Sequence, residues 1–177
     1  MSLSVFDIFK IGIGPSSSHT MGPMNAARSF VVLLAARGLL ERTAQVSAQL
    51  YGSLALTGRG HCTDRAILLG LEGMSPDTID SSAIEPALQR IRVGGRIRLL
   101  GRHEIAFDEP LNLLFHMDQV LPGHSNGMRF TAHDAELQVL AREEYYSIGG
   151  GFIVQARSKS TRLNSSHALT SRMPSSA

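Results

Sequence analysis

Residues 44–52, AQVSAQLYG, alternate Val46, Ala48 and Leu50 against Ser47, Gln49 and Tyr51. That period of two predicts a strand with one buried face. The run 21–38, MGPMNAARSFVVLLAARG, reads as a helix, with Pro23 in the first turn and Gly38 at C′. A short helix is expected over 4–9, SVFDIF, with Ser4 as N-cap. A further helix is expected over 63–73, capped by Thr63 or Asp64 and stopped near Gly73, and another over 82–91. RIRLLG, HEIAFD, LNLLFHM, GMRFTAH, ELQVLAREEYY and SIGGGFIV then read as short strands, with a turn at HSNG, 124–127. Helices come early and strands late. The expected class is α+β in one domain, with helices packed on a mixed or largely antiparallel sheet.

Composition narrows the function classes. The chain has 177 residues, 43% of them hydrophobic, ordinary for a folded domain. No apolar run approaches the roughly 20 residues that cross a bilayer; FVVLLAA is followed at once by Arg37. The first residues, MSLSVFDIFKIG, lack the features of a signal peptide. The single cysteine, Cys62, leaves no internal disulfide and suits a reducing cytoplasm. It also leaves too few thiolates for an iron–sulfur cluster. Residues 158–177 hold Lys159, Arg162 and Arg172 and no acid, so they carry +3, residues 1–157 carry −1, and the net charge of +2 owes its sign to the last segment. No basic stripe with interleaved aromatics points to nucleic acid. The Ser-rich segment 158–177 has no helical or strand period and is expected to be disordered. Its STRLNSSH resembles translated sequencing-adapter read-through, and a non-native tail is the expectation; a flexible linker is the alternative.

Two loops carry candidate chemistry. His19 ends GPSSSH and His61 ends LTGRGH, each just ahead of an expected helix. The positive end of a helix dipole disfavours added positive charge, so each imidazole should stay neutral and able to accept a proton. Ser16, Ser17, Ser18 and Thr63, with first-turn N–H groups, offer donors to a small anion such as a carboxylate. Capping accounts for each serine or threonine taken singly, and glycines there are ordinary turns. His103, His116 and His133 lie in strand-like segments and read as structural. GPSSSHT lacks the lysine of a P-loop. His124 and Asn126 share a Gly/Pro-bounded loop, which an Asn–Gly turn explains equally well. Gly149, Gly150 and Gly151 at the mouth of a strand imply unusual dihedrals or a close approach.

GIGPSSSHTMGPM, YGSLALTGRGHCTD, HSNGM and YYSIGGGFI, in that order, resemble the N-terminal β domain of the bacterial iron–sulfur L-serine dehydratases (L-serine ammonia-lyases) of single-chain type. The resemblance covers roughly residues 3–154. It implies conversion of L-serine to pyruvate and ammonia, in serine catabolism that feeds gluconeogenesis, with a [4Fe–4S] cluster as Lewis acid and no pyridoxal phosphate. It implies a fold like the allosteric substrate-binding domain of some phosphoglycerate dehydrogenases, packed against a helical C-terminal domain that holds the cluster, in a homo-oligomeric, cytoplasmic enzyme. It makes His61 the leading candidate for α-proton abstraction, with His19, Ser16, Ser17 and Thr63 lining the substrate site. His124 and Asn126 would belong to a mobile loop, and Ser147 with Gly149–Gly151 to the face toward the cluster domain. The cluster domain is absent from this sequence, so the chain is expected to carry half an active site and to be inactive alone. A serine-binding or small-anion regulatory module is the alternative; fold does not fix function.

Overall fold

The structure, a computed structural model, describes residues 13–156. A π turn over Ser17–Met21 runs into α1 (Gly22–Ala36), and β1 (Gln45–Tyr51) follows. Next come α2 (Ser53–Thr57), a 3₁₀ turn (Gly58–His61), α3 (Thr63–Leu71) and α4 (Ser81–Gly94). The rest is β2 (Arg96–Leu99), β3 (His103–Ala106), α5 (Glu109–Asn112), β4 (Leu113–His116), β5 (Gly127–His133), β6 (Val139–Gly149) and β7 (Phe152–Gln155).

Five strands form one sheet in the order β4-β1-β5-β6-β7, and β2 pairs with β3 in a separate ribbon. β1 and β4 are parallel and the other neighbours antiparallel, so the sheet is mixed and the class is α+β. Val46, Ala48 and Leu50 face the core together with Met128, Phe130 and Ala132 of β5, all fully buried. Gln45, Ser47 and Gln49 take the opposite face, as the alternation requires. α1 crosses the core face beside α3, and Phe30 of α1 stacks on Phe130 at a centroid distance of 5.5 Å.

Gly70 makes the helix crossing close. A Cβ there would stand 2.3 Å from the Met24 carbonyl oxygen and 2.9 Å from the Ala27 Cβ. Interlocking at that distance tolerates no side chain on α3 at this point.

Helix and strand boundaries depart from the expected ones for local reasons. The expected helix over 4–9 lies outside the described residues. Gly38 takes a φ of +66° behind α1, as a C′ glycine does. Neither Thr63 nor Asp64 caps α3: Cys62 stands at its N-cap with a left-handed φ of 58° and no side-chain cap bond. α4 begins earlier than expected because the Asp80 carboxylate accepts the Ser82 N–H at 2.9 Å. The strand expected over 111–117 starts only at Leu113, since Asp108-Glu109-Pro110 opens a helical turn with proline in its first two positions. β6 starts at Val139, because Asp134 accepts the N–H groups of Glu136 and Gln138 at 3.1 and 2.8 Å in a tight turn. Residues 147–154 are not one strand but the end of β6, a hairpin turn and β7.

Gly70→Ala is expected to destabilise the domain by about 1–3 kcal/mol, the usual cost of overpacking. Gly60→Ala, where nothing stands within 4 Å of the new Cβ, should change stability by less than about 0.5 kcal/mol. Urea unfolding of both variants checks the contrast.

Candidate functional site

Because β1 and β4 are parallel and β5 runs against β1, one edge of the sheet gathers segments distant in sequence. Tyr51 is level with His116, Leu50 with Met128, Gly127 with Tyr146, and Gly149 with Phe152. Residues 14–22, 52–63, 117–127 and 147–152 therefore meet there, and they include every expected site residue.

His19 and His61 lie at the centre, their ring centroids 5.0 Å apart and tilted by 43°. Two threonine hydroxyls bind the two segments to each other. Thr20 donates to the His61 carbonyl at 2.8 Å, and Thr63 donates to the His19 carbonyl. Both threonines are fully buried. A Cβ on Gly14 would fall 2.6 Å from the Thr20 hydroxyl and 2.8 Å from the His61 carbonyl, so the loop ahead of the serines closes tightly over this joint.

The three serines hold three different things. Ser16 caps the π turn, accepting the His19 N–H at 3.2 Å. Ser17 accepts the Gly150 N–H at 3.2 Å, tying down the β6–β7 hairpin. Ser18 bonds His19 Nδ1 at 2.9 Å. Ser53 takes the other ring nitrogen of His19, Nε2, at 3.0 Å. Its own N–H donates to the Ser125 carbonyl at 3.0 Å.

The two rings differ in what they leave free. His61 Nδ1 stands 2.9 Å from the Thr57 carbonyl oxygen. A carbonyl only accepts, so Nδ1 carries the proton and the neutral ring keeps its lone pair on Nε2. Both nitrogens of His19, by contrast, engage hydroxyls. His19 has its pKa lowered from the ordinary 6.5, first by burial and then by the nearby His61, while a hydrogen bond to Ser53 opposes the shift. For His19 the causes of the shift are burial and the neighbouring His61. His19 sits inside the π turn rather than ahead of a helix, and Cys62 turns the chain between His61 and α3.

The other expected residues lie around this pair. The Thr63 side chain is buried beneath His19 and committed to its carbonyl, and no face of it is open to a ligand. Asn126 and Ser147 bind each other through main chain and side chain: Ser147 N–H to the Asn126 carbonyl at 3.0 Å, Asn126 Nδ2 to the Ser147 carbonyl at 3.2 Å. Ser147 is fully buried, its Oγ 2.0 Å from where a Cβ on Gly22 would stand. His124 is exposed, and its Nδ1 accepts the Asn126 N–H at 3.0 Å, a local turn rather than a contact with the pair. Gly149, Gly150 and Gly151 have φ of +99°, +60° and +80°, which other residues rarely adopt. The hairpin they form packs on α1 through Asn25 Nδ2, 2.9 Å from the Gly151 carbonyl. Ser53 and Thr20 were not singled out by sequence; a hydroxyl directly after Gly52 at a helix start was the same signal that marked the serines.

The chain's one cysteine, Cys62, is partly buried. Among the described residues no group of three or more His, Cys, Asp or Glu side chains is placed to hold a metal ion. An iron–sulfur cluster takes several thiolates, so one does not fit the residues of this chain. No helix among the described residues is long and apolar enough to cross a membrane.

Fold and site together define an α+β domain with a cross-bonded histidine pair at one sheet edge. The chain belongs to the family described as "Serine dehydratase beta chain", which it matches over residues 4–158. It is 52% identical over 154 residues to the L-serine dehydratase of Streptomyces coelicolor, covering 87% of this chain and 34% of that protein. With L-serine dehydratase TdcG of Escherichia coli it shares 49% over 154 residues, 86% of this chain and 34% of that one. With the L-serine dehydratase of Mycobacterium bovis it shares 52%, over 87% and 33%. The chain thus spans about a third of the length of the curated relatives it matches.

The lowered pKa of His19 carries a sign. Above pH 6.5 the ring is neutral folded or unfolded; below it, the unfolded chain takes up a proton that the folded site resists. Stability is therefore full above pH 6.5 and is lost as pH falls from there toward the depressed folded value. Denaturant unfolding across that range should show this loss, and His19→Gln should flatten it.

Proposed function

We propose that this chain supplies the substrate-positioning and proton-accepting side of an L-serine ammonia-lyase, which takes L-serine to pyruvate and ammonia. The observation that carries the reading is the His19–His61 pair, 5.0 Å apart, in which only His61 Nε2 is left open to accept a proton. The names of the relatives support the substrate.

On this reading His61 Nε2 takes the α-proton of serine. The electron pair of the broken Cα–H bond moves into the Cα–Cβ bond as the hydroxyl leaves from Cβ. The aminoacrylate so formed tautomerises to an imine, and water releases pyruvate and ammonia. The Thr57 carbonyl fixes the His61 tautomer and favours the imidazolium as it forms, the part played by an orienting acceptor behind a general base. His19 stays uncharged and positions the substrate through Ser18 and Ser53, so the new charge on His61 meets no like charge beside it. Ser16, Ser17 and Thr63 act by holding the backbone. Asn126, Ser147 and Gly149–Gly151 shape the rim, with His124 at its exposed border. Departure of the hydroxyl belongs to the part of the longer relatives beyond this chain, which is also where the [4Fe–4S] cluster has to be held. Cys62 is given no step.

The test is a full-length enzyme in which residues 4–158 of this chain replace the matching third of the Streptomyces coelicolor relative. With cluster content verified, His61→Ala should lower kcat at least about a hundredfold, the worth of a positioned general base. It should also abolish exchange of the serine α-proton with solvent. His19→Ala should act more on KM than on kcat. Near-normal kcat in His61→Ala would give the proton to another group. Serine binding with no exchange in the unsubstituted enzyme would favour a regulatory module.

A further inference from the structure

β4 is an edge strand. Among the described residues it pairs with β1 alone, so one row of its backbone N–H and C=O groups has no strand partner. Sheets usually guard such an edge with charge, proline, a bulge or a covering element. Here the edge borders a groove of about 1090 Å³. Leu113, Leu114 and Phe115 line it in succession. Neighbouring side chains of a strand point to opposite faces, so three consecutive residues border one groove only where it follows the strand's edge. α3 and α4 form the opposite wall through Asp64 and Arg92.

The two ends of the groove differ in charge. Beside the start of β4, Arg92 is held between Asp64 at 2.9 Å and Glu109 at 2.8 Å. Asp108 adds a carboxylate there that makes no cap bond, so this end is acidic. At the other end Arg59 lays its guanidinium 5.0 Å over the Phe115 ring. It forms no ion pair among the described residues. The groove lies at the upper end of the roughly 300–1,000 Å³ typical of small-molecule pockets, and it follows the free side of β4, where the Leu113 N–H turns to the Glu109 carbonyl and Leu114 and Phe115 have no strand partner beyond β1. Both features suit a length of chain better than a metabolite.

We propose that this groove is a strand-addition site, taking an extended peptide segment that pairs with β4 and carries a carboxylate at Arg59 and a basic side chain at the Asp108–Glu109 end. Main-chain hydrogen bonds supply affinity and the end charges set direction. Arg59 and Asp64 bracket His61, Cys62 and Thr63, so a seated segment presses on the turn that carries His61.

The probes are two blocked hexapeptides, KTVTVE and ETVTVK, which differ only in which end is acidic; whichever way a strand runs, one of them brings its carboxylate to Arg59. Each is titrated to millimolar concentration into the isotope-labelled 177-residue chain, with amide shifts and hydrogen exchange followed by NMR. The expected result is shifted and slowed amides within Leu113–His116, and a preference of at least about fivefold for one peptide, the worth of an exposed ion pair or two. Arg59→Glu should erase or reverse that preference; an unchanged melting temperature shows that the variant stays folded. Three results would each overturn the proposal: no response at Leu113–His116, equal binding that Arg59→Glu leaves unaltered, or protection of the same amides by rising protein concentration without peptide, which would make the occupant a second copy.

Discussion

Two buried threonine hydroxyls hold the histidine segments in exchange, Thr20 to the carbonyl of His61 and Thr63 to that of His19. Each bond ties a threonine one or two residues past one histidine to the backbone of the other. These bonds span 41 and 44 residues of chain, so the relative position of the two segments is set by short, buried, directional contacts. A buried carbonyl that loses its donor costs about 1–3 kcal/mol, so neither segment can drift without a penalty. Gly14 and Gly58 belong to the same constraint: a Cβ on either would press on Thr20 or Thr63.

The sheet supplies the frame for that joint. A parallel pair, β1 and β4, beside antiparallel β5, β6 and β7 brings strand ends and starts to one edge. α1 and α3, locked together at Gly70, present their N-termini at that edge as well. The polar joint is ringed there by exposed apolar side chains: Leu56, Met117, Val120, Ile148 and Phe152 are each more than half exposed. The curated relatives are about three times as long as the matched segment.

Much of this frame was legible from the sequence, because hydrophobic period and turn chemistry act locally. Val46, Ala48 and Leu50 announced β1, and Pro23 with Gly38 bounded α1. The class of the fold followed from the order of such elements. What sequence left open was long-range. Capping was the first reading of Ser16, Ser17 and Ser18 taken singly, and only the fold shows a separate partner for each. The helix-end argument could not rank the two histidines by their chemistry, since the difference lies in the carbonyl of Thr57 against the hydroxyls of Ser18 and Ser53, and no local pattern encodes which ring nitrogen is left over. The helix-dipole argument took both rings to stand directly ahead of a helix; His19 instead sits within a π turn, Cys62 intervenes between His61 and α3, and at His19 burial is the leading cause of the lowered pKa. The start of β4 was misread although Asp108-Glu109-Pro110 is a helix-opening signal, because apolar residues after it looked continuous.

The account turns on His61 keeping its proton on Nδ1 and its lone pair on Nε2. Nitrogen-15 NMR of the imidazole rings reports the tautomer directly, through one- and two-bond couplings to the ring protons. At a pH where His61 is neutral, the ring should show a protonated Nδ1 and an unprotonated Nε2. A His61 ring found with its proton on Nε2 would contradict the account, because the nitrogen open to a substrate would then have no lone pair to offer.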